Sequence, residues 1–153
     1  MPEIYLDDLA PGQVHELGSH TVGADEIVAF ASSWDPQPFH LDGEAAARSI
    51  YGGLIASGWH TCCIFMRLFA DGLLNRAAAM GSPGIDELRW LRPVRPGDTL
   101  VGRVEVLEVR PSRSRPDRGI ARLRSMVSNQ AGEEVLSFVA AVMFARRPGA
   151  GAD

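Results

Sequence analysis

The sequence predicts an α+β domain in which an antiparallel sheet wraps around one long helix. Three observations carry that expectation. The stretch from Ser57 to about Leu74 reads as a single helix with Trp59, Cys62/Cys63, Met66, Phe69/Ala70 and Leu73 on a wide apolar face and Ile64 opposite. Such a helix is expected to be buried nearly all round. Four strand-like segments follow, at Ile85–Leu91, Leu100–Val109, Ile120–Ser128 and Val135–Arg146. The turns that punctuate them, Arg95-Pro96-Gly97-Asp98 and Gln130-Ala131-Gly132, are short, and short turns between consecutive strands favour antiparallel pairing.

Taken in order, the chain opens with short strand-like pieces through about Thr21, around Pro11-Gly12. A helix is expected from about Asp25 to Ser33, where Ile27, Phe30 and Trp34 recur at helical spacing and two acidic residues sit at its positive end. Trp34 to Phe39 holds two prolines and cannot continue that helix. A short helix from Gly43 to Ser49 follows, with Asp42 as N-cap, and Tyr51-Gly52-Gly53 breaks it. Ser57 is the expected cap of the long helix. Within the third strand Ala121, Leu123, Ser125 and Val127 alternate with wetter positions, and the fourth is apolar on both faces, as a central strand would be. Residues 1–147 are read as one domain and 148–153 as a flexible tail.

Composition excludes several function classes. At 153 residues, 46% hydrophobic and 22% charged, the chain can build one sizeable core. A net charge of −4 argues against a nucleic-acid partner. All 15 basic residues are arginine, so Schiff-base chemistry and a P-loop lysine are absent. Cys62 and Cys63, the only cysteines, are adjacent and form neither a staple nor a metal or redox motif. With no signal-like N-terminus, and the apolar run from Cys62 to Ala70 broken by Arg67, a cytoplasmic location without membrane association is the expectation.

Chemistry concentrates in Asp35-Pro36-Gln37-Pro38-Phe39-His40. Prolines stiffen the segment, so a carboxylate and an imidazole five residues apart can converge on one point and move a proton. From spacing alone, an Asp and a His in a loop are more often a turn former and a surface residue. The second feature is Gly52 to Trp59, where glycines lead into the long helix. Free N–H groups at that terminus would suit a developing oxyanion, although glycines there also serve close packing.

Together, the run Phe30 to Asp42 with its Asp35-x4-His40, and Tyr51-Gly52-Gly53-Leu54-Ile55-Ala56-Ser57-Gly58 after it, resemble the MaoC-like dehydratases and (R)-specific enoyl-CoA hydratases. Arg92 to Leu100 looks like the next segment of that family, and the similarity runs from about Leu6 to Phe144. The resemblance implies a hot-dog fold and a homodimer or dimer of dimers with active sites at the protomer interface. It also implies reversible syn addition of water to a trans-2-enoyl-CoA. Asp35 and His40 would then handle the water and the α-carbon proton, and the Gly58 N–H would hold the thioester oxygen. Gln37, Ser57, Trp59, Arg92 and Arg95 would contact substrate, with the two arginines ahead of the Arg110, Arg113, Arg115 and Arg118 cluster for the phosphates of coenzyme A. That cluster otherwise reads as a solvated hairpin tip. No cofactor or metal is implied beyond the coenzyme A of the substrate.

Four positions depart from the family pattern: Gln37 replaces an Asn, Trp34 a small residue, Ser57 a His, and Cys63 a small hydroxyl residue. Trp34 and Trp59 are expected to fill core, and His15, His20 and His60 carry no assigned role. An acyl-CoA thioesterase and a non-catalytic acyl-binding subunit are the competing readings. The presence of His40 favours the hydratase.

Overall fold

A computed structural model describes residues 1–150 of the chain. Strand β1 (Val14–Thr21) leads into helix α1 (Ala24–Trp34), two short helices α2 (Pro38–Leu41) and α3 (Gly43–Ala47), and the long α4 (Gly58–Gly72). Strands β2 (Ala79–Gly81), β3 (Ile85–Trp90), β4 (Thr99–Pro111), β5 (Arg118–Ser128) and β6 (Glu134–Ala145) complete the chain. All strand pairs are antiparallel, in the order β1-β4-β5-β6. Beyond β6, β2 and β3 share one edge in tandem: β2 meets Met143 and Phe144, and β3 meets Leu136 to Ala140. The expected fold, a sheet around one helix, is the fold observed. Among the described residues no helix is long and apolar enough to cross a membrane.

The sheet curls around α4 because side chains on one face of each strand alternate inward. Val104, Val106, Leu123, Val127, Leu136 and Phe144 are fully buried against Phe65 and Phe69 of the helix, and Phe65 meets Phe138 edge-on at 5.1 Å. Gly72 lets the helix end lie on β1, since a Cβ there would come within 2.9 Å of the Leu17 backbone.

Several expectations need correction. Helix α4 is not buried all round: His60, Thr61, Ile64, Phe65 and Phe69 form its buried face, whereas Trp59 and Met66 are 54% and 48% exposed. A sheet covers only one side of a helix, so the apolar stripe on the far side stays bare in the single chain. Trp34, 75% exposed, is likewise not core; Ile27 and Ala31 supply the buried side of α1. Cys63 is exposed and Cys62 half-buried. In the expected tail, residues 148–150 form a turn closed by Ala150 N–H to Arg147 O at 3.0 Å, while 151–153 lie outside the described residues.

Candidate active site

Four elements converge beside the first turn of α4. Helix α1 ends at Asp35, whose N–H closes the last turn on Ala31 O at 2.9 Å. The prolines stop that helix as expected, and Pro38 then starts a new one, because a proline at the first helical position needs no N–H partner. The single turn of α2 points His40 inward, where it is 4% exposed. The stretch before α4 locks this turn: Ile55 N–H donates to Phe39 O at 3.2 Å, and His40 Nδ1 donates to Ile55 O at 2.8 Å.

That last bond sets the tautomer. A carbonyl oxygen offers no proton, so Nδ1 carries the hydrogen and Nε2 is the nitrogen left for chemistry. Nε2 faces Asp35 Oδ2 at 3.3 Å. Ser57 Oγ donates to the same oxygen at 2.7 Å, and Gln37 Nε2 donates to Oδ1 at 2.6 Å. Burial pushes the Asp35 carboxyl up, but the Ser57 hydroxyl, the Gln37 amide and His40 outweigh it, leaving the group below its ordinary value. Asp35 is therefore ionised at neutral pH.

Ser57 is wholly buried and does two jobs. It caps α4 by accepting from Trp59 N–H at 3.3 Å, and it ties that cap to Asp35. Gly58 is the first residue of α4, so its N–H has no partner within the helix and sits at the positive end of the dipole. Its lack of a side chain has a specific cause. A Cβ at position 58 would lie 2.5 Å from Cε2 and Nε1 of Trp90, whose indole rests directly on this turn. Trp90 also meets Trp59 edge-on at 5.1 Å.

Asp35, His40 and Gly58 open onto one cleft of about 490 Å³, with Gln37, Trp59 and Arg92 on its walls. Arg92 reaches it from an exposed position, paired with Glu133 at 3.1 Å. Arg95 does not border it. Its guanidinium donates to Tyr51 O at 2.6 Å and braces the Tyr51–Gly53 turn. None of the arginines at the β4–β5 turn borders the cleft, and Arg118 pairs with Asp117. Sequence reasoning missed Trp90, Thr61 and the Ile55 carbonyl. Trp90 carried a signal as a lone aromatic just before the Arg92 segment, whereas a backbone carbonyl carries none. Among the described residues, no group of three or more His, Cys, Asp or Glu is arranged to hold a metal.

Comparison with known proteins adds the family. A family model described as MaoC like domain matches residues 8–129. The 3-hydroxybutyryl-CoA dehydratase of Methylorubrum extorquens is 32% identical over 140 residues, which span 89% of this chain and 82% of that protein. A MaoC-like dehydratase structure from Rhodospirillum rubrum matches with a TM-score of 0.88 at 48% identity, over 95% of this chain and 99% of the other. The unliganded R-hydratase of Pseudomonas aeruginosa matches with a TM-score of 0.75 at 29% identity, over 94% and 87%.

Proposed function

We propose that this chain, which belongs to the MaoC-like domain family, adds water reversibly across the double bond of a trans-2-enoyl-CoA to give a 3-hydroxyacyl-CoA. The observation that carries the reading is the pairing of His40 Nε2 with Asp35 Oδ2 at 3.3 Å, in a cleft that also exposes Gly58. An imidazole and a carboxylate at that separation can take a proton from one water held beside them in the cleft. In the hydration direction the water oxygen bonds to C3 and the double bond shifts to an enolate on the thioester oxygen, held by the Gly58 N–H. The Asp35/His40 pair takes one proton from the water and returns one to C2. The pair is unchanged after a turnover, and the 3-hydroxyacyl thioester is neutral where it formed. Coenzyme A enters as part of the substrate, and Arg92, half-exposed at the rim, suits its phosphates.

The same reading makes the protein a cytoplasmic homodimer. The unpaired edge of β3 carries Ile85 and Trp90, and the bare face of α4 carries Trp59 and Met66; all four are 46% exposed or more. A second copy would cover them. A monomer by light scattering at micromolar concentration would overturn that assembly.

The test of function follows the enoyl absorbance of crotonyl-CoA and longer homologues beside free-thiol release. Loss of the enoyl band without thiol is the expected result. Thiol release would mean a thioesterase, and neither signal with any chain length would mean a non-catalytic acyl-binding subunit.

A further inference from the structure

A second imidazole–carboxylate pair lies behind the site. His60, in the first turn of α4, is 6% exposed. Its ring stacks on Phe30 of α1 at 4.7 Å and 7°, and its Nε2 faces Glu26 Oε2 at 3.5 Å. Glu26 and Phe30 are one helical turn apart on α1, so the ring of His60 lies along that helix and touches it twice.

Glu26 is itself held rigidly. Its carboxylate accepts from the Gly23 N–H at 2.8 Å and engages His20 Nε2 at 2.9 Å from β1. Burial pushes this carboxyl up, and the Gly23, His20 and His60 contacts outweigh it, so it stays ionised. It is a fixed acceptor, not a mobile surface charge.

Packing does not explain why residue 60 is a histidine. Its Nδ1 is buried and has no hydrogen-bond partner among the described residues, a cost that an apolar side chain of the same shape would avoid. What only the histidine supplies is the Nε2 contact to Glu26. The two helices it joins matter for the reaction. Asp35 is the residue at the end of α1, and Gly58 is the first residue of α4. Near the site the Ser57–Asp35 hydrogen bond ties these helices together, and it uses the reacting carboxylate itself as the tether. Glu26 lies nine residues before Asp35, about 13 Å along the helix axis. A contact there fixes the rotation of α1 without engaging the carboxylate.

We infer that His60 is a positioning residue: through Glu26 and Phe30 it sets the register of α1 against α4, and so the placement of Asp35 relative to His40 and Gly58. The inference rests on the hydratase reading for its kinetic consequence, and its structural core stands apart from it. His60→Phe keeps the stack on Phe30 and removes the contact to Glu26, while His60→Gln restores an N–H donor. With the enoyl-CoA that wild type turns over fastest, His60→Phe is expected to lower kcat about 10- to 100-fold, because small misplacements of reacting groups are that costly. KM should stay within about twofold, since loss of alignment without loss of binding acts on kcat. His60→Gln should recover most of the loss. In parallel, the imidazole nitrogen resonances of His40 should shift in His60→Phe and return toward wild type in His60→Gln. A fall in thermal midpoint with kcat and the His40 signals unchanged would overturn the inference. If wild type turns over no enoyl-CoA, the function reading fails, and the His40 signals alone decide this one.

Discussion

The chain builds two imidazole–carboxylate pairs at nearly equal separations, His40 with Asp35 at 3.3 Å and His60 with Glu26 at 3.5 Å. They differ in what surrounds them. His40 gives its second nitrogen to the Ile55 carbonyl and turns Nε2 toward an open cleft. His60 leaves its second nitrogen unpartnered among the described residues and closes its face with Phe30. Asp35 is held by a hydroxyl and an amide, whereas Glu26 is shared with a backbone N–H and a second imidazole. Identical functional groups thus diverge into a pair that lines the cleft and a pair that joins two helices. Both imidazoles are buried; the partner of the far nitrogen and the cleft at Asp35 and His40 are what set the pairs apart.

The sharpest way to break that comparison is to remove each pair in turn. Asp35→Asn and His40→Ala should each slow turnover by about 10²–10⁴-fold, the usual worth of acid/base catalysis. That exceeds the effect expected for any His60 variant. Steady-state kinetics on refolded, correctly sized protein measure both. Full activity in both variants would move the site elsewhere, and a larger loss at His60 than at His40 would reverse the assignment of the two pairs.

That Asp35 and His40 could meet was legible in the sequence, but the second pair was not. Asp35 and His40 lie five residues apart in a proline-stiffened segment, so local covalent geometry alone brings them close. Glu26 and His60 are thirty-four residues apart and meet only because α1 packs on α4. The long helix, the last four strands and the caps at Asp42 and Ser57 were also readable, because periodicity and capping are local. The bare side of α4 was not. Apolar residues at Trp59 and Met66 look the same in a sequence whether covered by a sheet or left open beyond it. The brace made by Arg95 was hidden for a related reason: its position near the motif says nothing of the Tyr51 carbonyl that holds it.

A smaller effect tests the link between helix cap and carboxylate. Ser57→Ala removes the hydrogen bond that favours ionised Asp35, so the Asp35 carboxyl rises toward its ordinary value. The acid limb of the activity–pH profile should then move to higher pH. Thermal stability should also fall by about 1 kcal/mol from the lost N-cap. The hydrogen bonds of Ser57 run to Asp35 and Trp59 and those of Glu26 to Gly23 and His20, so the His60 pair predicts no such change in the acid limb. A lower stability with the limb unmoved would show that Asp35 ionisation does not govern the rate at low pH.

The smallest expected effect separates the pairs by stability. Burial holds the His60 imidazole below its ordinary value of 6.5, and the attraction of Glu26 only partly offsets this, with His20 nearby opposing a second positive charge. The folded chain therefore binds fewer protons at His60 than the unfolded chain does. The contribution is fully present above pH 6.5 and is lost as pH falls below it toward the folded value. Thermal midpoints measured downward from pH 7.5 should fall less steeply for His60→Phe than for wild type. The slope should shrink but not vanish, because burial and Arg76 lower the His15 imidazole too, and His15 is untouched. Glu26 is held below 4.5 and loses its contribution only at still lower pH, so a difference confined to that acid range would assign the effect to the carboxylate. Parallel slopes from pH 6.5 downward would mean that His60 accepts its proton as readily in the fold as outside it, and the contrast between the two imidazoles would lose its physical basis.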